Sequence, residues 1–226
     1  MKTRSQSAFT LIEMLVVISI IAVLAAFAVP ALTSALTRGQ MTGTMNNARQ
    51  LYLAAQQMAL DGAANSDPAL GWPGDLAGVA TLADYCNALV NNDYLKPGDL
   101  QKLLNGPGTA CVVTPGDPAA TPPTALTLAN PAALKVFLVK AADSSNVIFA
   151  ESANYTYNTA LPNNVNPFGD KGFIVQRKGG DATILRKNNA VNAGNPTLFQ
   201  GTVGKKVNNQ DGQVTAEAGA DILTPP

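Results

Sequence analysis

Histidine is absent from this 226-residue chain, and that absence removes more chemistry than any other feature of the composition. Without imidazole the chain has no His general base, no Ser-His or Cys-His nucleophile pair and no His metal site. The expectation is a chain that is not an enzyme and carries no cofactor and no metal. Charge is sparse as well: 15 basic residues balance 15 acidic ones, together 13% of the chain. Such a balance offers no electrostatic footprint for nucleic acid or anionic lipid. Tryptophan occurs once, at Trp72, and cysteine twice, at Cys86 and Cys111. Two cysteines make no zinc site.

The chain does have one long apolar run, at its start. The segment MKTRSQSA is short, polar and basic, and it leads directly into FTLIEMLVVISIIAVLAAFAVP. As a helix, the twenty residues from Phe9 to Ala28 are about 30 Å long, the thickness of a bilayer's hydrocarbon core. Lys2 and Arg4 precede the run with no acidic residue among them. The positive-inside rule therefore keeps the N-terminus in the cytoplasm and sends the rest across. One carboxylate, Glu13, interrupts the run. An intramembrane carboxylate costs about 2.5–3.5 kcal/mol at mid-helix and usually marks a function and a partner. Two plainer readings stay open: AVLAAFAVPA imitates a signal-peptide cleavage site, and Glu13 is close enough to the membrane edge to snorkel to the headgroups.

The stretch Ala8-Phe9-Thr10-Leu11-Ile12-Glu13, followed by the apolar helix and Pro30, closely resembles the N-terminus of the type IV pilin superfamily, which includes the pseudopilins of type II secretion systems. The resemblance covers residues 5–60. It implies that a prepilin peptidase cuts between Ala8 and Phe9 and N-methylates Phe9, and that Glu13 supports assembly. Ala8 stands where the family usually has Gly, another small residue. Phe9 and Glu13 are four apart and share a helix face. A terminal amine on Phe9 is largely cationic at neutral pH, so a carboxylate held in lipid has a partner in the amine of a neighbouring subunit. Removing Lys2 and Arg4 from the 15 basic residues leaves 13 against 15 acidic ones, a mature charge of −2.

Beyond the membrane stretch, Met41, Met45, Ala48, Tyr52, Ala55 and Ala59, with Leu51 and Met58 alongside, form an apolar stripe of helical period. The spacing predicts a helix from Phe9 to about Leu60, near 78 Å long, ended by Asp61-Gly62 and kinked at Pro30. Gly39 and Gly43 form a GxxxG beyond the hydrocarbon stretch, where flexibility or close packing explains them better than dimerisation. Residues 63–80 read as a loop in which Trp72 is a core plug or, less often, a ligand platform. TLADYCNALVNNDYL reads as a short helix, Pro97-Gly98 as a turn, DLQKLL as a second helical piece, and ACVV as a short edge strand. The runs 134–141, 146–157, 172–178 and 182–187 read as strands of an antiparallel sheet, with Gly179-Gly180-Asp181 as a hairpin turn. A further strand is expected at TLFQGTV, and the tail AGADILTPP has no packing pattern. Placement outside the cytoplasm suggests a disulfide between Cys86 and Cys111, with two buried free thiols as the alternative.

Other motifs carry little. Gly201-Thr-Val-Gly-Lys-Lys lacks the phosphate-loop spacing. Asn154-Tyr155-Thr156 is a formal sequon inside an expected strand. Asp170 with Asn164 or Asn166 offers oxygen atoms for calcium but no ligand pattern.

The expected fold class is α+β, a long N-terminal hydrophobic helix packed on a C-terminal antiparallel sheet domain. The expected organisation is a leader at 1–8, a transmembrane and filament-core helix at 9–30, its extracytoplasmic continuation at 31–62 and a globular domain at 63–226. The resemblance implies a structural filament subunit of the bacterial inner membrane, single-pass with its C-terminal domain periplasmic, later part of a periplasmic or surface filament. A type II secretion pseudopilin is the preferred form. Other pilin-like subunits, the prepilin peptidase, an inner-membrane platform protein, an assembly ATPase and membrane lipid are the implied partners. A minor or tip pilin acting as a binding module is the alternative.

Overall fold

Apolar residues with no turn signal give helix α1 (Leu11–Asn65), with Pro30 inside it. The computed structural model describes residues 10–117, 119–121, 124–191, 194, 199, 202–203, 206–207, 210–211 and 222–226. The chain divides into two units, Met1–Gly39 and Gln40–Pro226. In the first unit every residue from Thr10 to Leu36 is exposed. Three of its hydroxyls bond to their own helix: Ser19 donates to Val16 O at 2.7 Å, Thr33 to Pro30 O and Thr37 to Thr33 O, each at 3.0 Å. Among the described residues this is one helix long and apolar enough to cross a membrane.

In the second unit the expected stripe is the buried face of α1. Met41, Ala48, Leu51, Tyr52, Ala55 and Met58 are buried, and Met45 and Ala59 are half-buried. The helix outruns its expected end at Asp61-Gly62 and reaches Asn65, with Ser66 in the left-handed region at φ 53°. Gly62 is not a terminator here. An added Cβ would stand 2.0 Å from Leu70 O, so glycine is needed for the chain to fold back against the helix. Asp61 in turn accepts the Tyr94 hydroxyl at 2.7 Å.

Helix α2 (Leu82–Asn91) opens on a capping box in which the Thr81 side chain accepts from Asp84 N and Asp84 accepts from Thr81 N. Pro97-Gly98 does not form a separate turn. It starts helix α3 (Pro97–Leu104), since proline at the first helical position loses only an N–H that would have no helical partner. Strand β1 (Val112–Thr114) pairs antiparallel with β2 (Thr127–Ala129), a strand that no sequence pattern marked. The main sheet is antiparallel in the order β3 (Leu134–Val136), β4 (Ile148–Ser152), β5 (Phe173–Arg177), β6 (Ala182–Leu185). The β5–β6 turn carries Gly180 at φ 96°, and Arg177 N donates to Asp181 O at 2.9 Å. Strand β7 (Lys206–Val207) pairs antiparallel with β8 (Gln210–Asp211).

Both faces of the sheet are covered, which is why all five residues of β4 are buried. Trp72 sits in the core at 7% exposure against Tyr52 and Phe149, with ring centroids 5.9 and 5.7 Å away, and so is a core plug. Tyr155 stacks on Phe173 and donates to Ala190 O at 3.0 Å. Of the strand expected at TLFQGTV, Phe199, Thr202 and Val203 have helical backbone, and its other four residues lie outside the described residues. Phe199 and Val203, four apart, are both buried, and Phe199 meets Tyr157 edge-on. The fold class is thus α+β, as expected.

Candidate functional site

The N-terminal motif is assembled by the first turn of α1. Thr10 N and Thr10 Oγ1 both donate to Glu13 Oε2 at 2.8 Å, and Glu13 N donates back to Thr10 Oγ1 at 3.3 Å. These bonds form a capping box: threonine and glutamate three apart each satisfy an N–H that the helix start leaves without a partner. The Glu13 carboxylate therefore has a partner within its own chain, at the head of an exposed apolar surface. Leu11, Ile18, Leu24, Phe27 and Leu32 are each at least 61% exposed along it. Sequence reasoning missed the role of Thr10, although the T-x-x-E spacing before an apolar run is the signal for it.

Lys2, Arg4, Ala8 and Phe9 lie outside the described residues, so the leader charges and the cleavage position are sequence readings alone. Pro30 lies inside α1. Cys86 and Cys111 are free thiols, both buried in the main core. Burial pushes the Cys86 thiol far up, with the nearby Cys111 adding to the shift, and burial also raises Cys111. Asn105 fixes the Cys111 backbone, accepting from its N at 2.7 Å and donating to its O at 2.8 Å.

Asp170, Asn166 and Asn154 are engaged within the chain. Asp170 accepts from Lys187 at 2.9 Å and pairs with Lys171 at 3.0 Å, and these hydrogen bonds hold its carboxyl below the usual range. Asn166 donates to Gly108 O at 2.6 Å. Asn154 is 2% exposed and donates to Gly169 O and Gly172 O, which closes the sequon in the folded chain. Among the described residues no group of three His, Cys, Asp or Glu is placed to hold a metal.

Comparison with known proteins returns the same N-terminal motif. A family model for the prokaryotic N-terminal methylation motif matches residues 3–29. A type IV major fimbrial protein FimA of Dichelobacter nodosus is 37% identical over 67 residues, which cover 30% of this chain and 43% of that protein. Another FimA of the same organism is 37% identical over 116 residues, 46% of this chain and 70% of that protein. A fimbrial protein of Dichelobacter nodosus is 32% identical over 111 residues, 48% of this chain and 64% of that protein. Against the first of these relatives the chain spans less than half of the relative's length. No solved structure matches the chain.

Proposed function

The chain belongs to the type IV pilin-like superfamily, and from that membership we propose that it is a structural subunit of a type IV pilus-like filament, not an enzyme. One observation carries this reading. The methylation motif covers residues 3–29, and its described part is an apolar helix exposed at every residue and headed by a single carboxylate. An isolated chain leaves that surface without a protein partner; lipid covers it before assembly and neighbouring helices cover it afterwards.

In this reading residues 1–8 are a leader. The chain inserts with its N-terminus in the cytoplasm and its second unit in the periplasm, and a prepilin peptidase cuts between Ala8 and Phe9 and methylates Phe9. Thr10 holds Glu13 on its own helix while the subunit is in the membrane, which lowers the cost of a carboxylate there. On assembly the Glu13 carboxylate meets the Phe9 amine of a neighbour, so that the charge pair sets the register of one helix on the next. Breaking a buried pair of this kind costs about 3–5 kcal/mol. A membrane platform protein and an assembly ATPase follow from the same reading. So does oxidation of Cys86 and Cys111 to a disulfide, which counting alkylated thiols with and without reductant would detect.

A secretion pseudopilin is the more specific form of the proposal. The names of the curated relatives favour a second form, a surface fimbria. Shearing of cells separates them: fimbrial subunits enter the sheared fraction, while a pseudopilin remains with the envelope and its loss stops export of secreted proteins. The subunit role itself is tested by Glu13→Ala, which should leave the protein folded and membrane-bound but abolish its incorporation into filaments. Normal incorporation would sink it.

A further inference from the structure

Residues Ile222–Thr224 lie between two parts of the second unit that are distant in sequence. On one side Ile222 forms an antiparallel bridge with Phe137, immediately after β3, and Leu223 N donates to Val136 O at 2.9 Å. On the other side Thr224 forms a parallel bridge with Thr81, donates from N to Ala80 O at 3.1 Å and accepts from Leu82 N at 2.9 Å. Both neighbours need such a partner. β3 is an edge strand, whose outer backbone groups have no strand beside them within the four-stranded sheet. Leu82 is the first residue of α2, and its N–H has no acceptor within its own helix. Leu223, between them, is 1% exposed and belongs to the main core.

We propose that the groove between the β3 edge and Ala80–Leu82 is a strand-acceptor site for an extended peptide with an aliphatic side chain at its centre. Its occupant is the chain's own Ile222–Thr224, which acts as a detachable clasp between α2 and the sheet. The groove recognises backbone on both sides and one apolar side chain in the middle, the chemistry by which a sheet edge takes up an added strand. Among the described residues, three backbone hydrogen bonds and one buried side chain hold the clasp, whereas β4 is buried throughout and paired along both edges. That contrast makes the clasp a unit that opens below the free energy of global unfolding.

The test is hydrogen exchange read by mass spectrometry on the full chain in detergent. The Leu82, Leu223 and Thr224 amides should exchange together and before those of β4 and β5. Ending the chain after residue 221 should raise exchange across Leu82–Asn91 at least tenfold and leave Ile148–Ser152 and Phe173–Arg177 unchanged. A synthetic peptide of residues 222–226 should restore the protection saturably, and the same peptide with L223D should not. Leu223→Ala in the full chain should give the same order with a smaller change, which keeps the test valid if the shortened chain does not fold. Loss of protection in β4 and β5 together with α2 in Leu223→Ala, or no effect of the peptide on a shortened chain that keeps β4 and β5 protected, would overturn the proposal. Neither outcome bears on the filament reading, since the exchange is read on unassembled chains.

Discussion

Thr10 and Glu13 act as one group at the head of α1, so substitutions there should grade rather than simply succeed or fail. Thr10→Val removes the hydroxyl that both donates to Glu13 and caps the helix, a loss of about 1 kcal/mol for a helix start. Incorporation into filaments should fall below that of the unaltered chain, Thr10→Ser should restore it, and Glu13→Ala should be the most severe of the three. Quantifying subunits in purified filaments reads this order. The capping box of α2 allows a similar test outside the membrane stretch. Hydrogen bonds from the Thr81 side chain and then the Thr81 backbone lower the Asp84 pKa. A depressed folded pKa contributes stability that is present above the unfolded value, about 3.9, and is lost as pH falls through the folded value. Thr81→Ala should therefore cost about 1 kcal/mol at neutral pH and flatten the acid limb of stability, as read by denaturant titration from pH 6 to pH 2. The sequence made Glu13 legible because a lone carboxylate in an apolar run is costly and so stands out. Thr10 was less visible because threonine is common at such positions and its role depends on a partner three residues on.

At the scale of elements, the two ends of the expected long helix differ in how well the sequence reports them. Asp-Gly is a strong stop signal, yet α1 continues to Asn65 because Gly62 serves a contact with the returning chain. Two substitutions in one helix separate these roles. Gly62→Ala puts a Cβ 2.0 Å from Leu70 O and should cost about 2–4 kcal/mol. Gly43→Ala meets nothing within 4 Å and should stabilise by about 0.5–1 kcal/mol through helix propensity. Thermal unfolding of the two variants beside the parent reads both signs. In the sheet, Glu151 is fully buried on β4 with Lys135 Nζ 3.0 Å from its Oε1, and Lys135 also donates to Tyr155 O. Its charge, after burial, helps push the Tyr157 hydroxyl up to about 12. Glu151→Ala should cost about 3–5 kcal/mol by leaving Lys135 without its carboxylate, whereas joint replacement of Lys135 and Glu151 by Met and Leu should come out near neutral. Nothing in the strand pattern announces that pair. Alternation marks which residues share a face, but not that β4 is covered on both.

For the whole molecule, the α+β architecture was legible because each layer has its own period: the helical spacing from Met41 to Met58 on one side and β-branched runs separated by turns on the other. The missing pieces were those whose order depends on distant partners. β2 is three residues long and is defined by its pairing with β1, and Ile222–Thr224 by a groove built from residues 80–82 and 136–137. Phe199 and Val203 read as strand by composition, but each has helical backbone and is buried, Phe199 against Tyr157. No local pattern could have reported these contacts, because the information lies in the surfaces they cover.

The central claim, that the first unit is a cleaved and retained assembly helix, is tested most directly by intact mass and N-terminal sequencing of the membrane-extracted protein from cells with and without prepilin peptidase. The account predicts a chain that begins at N-methylated Phe9 and an unprocessed chain when the peptidase is missing. A chain that begins near Ala31 would contradict it, because Thr10 and Glu13 would then have been discarded with a signal peptide and could play no part in a filament.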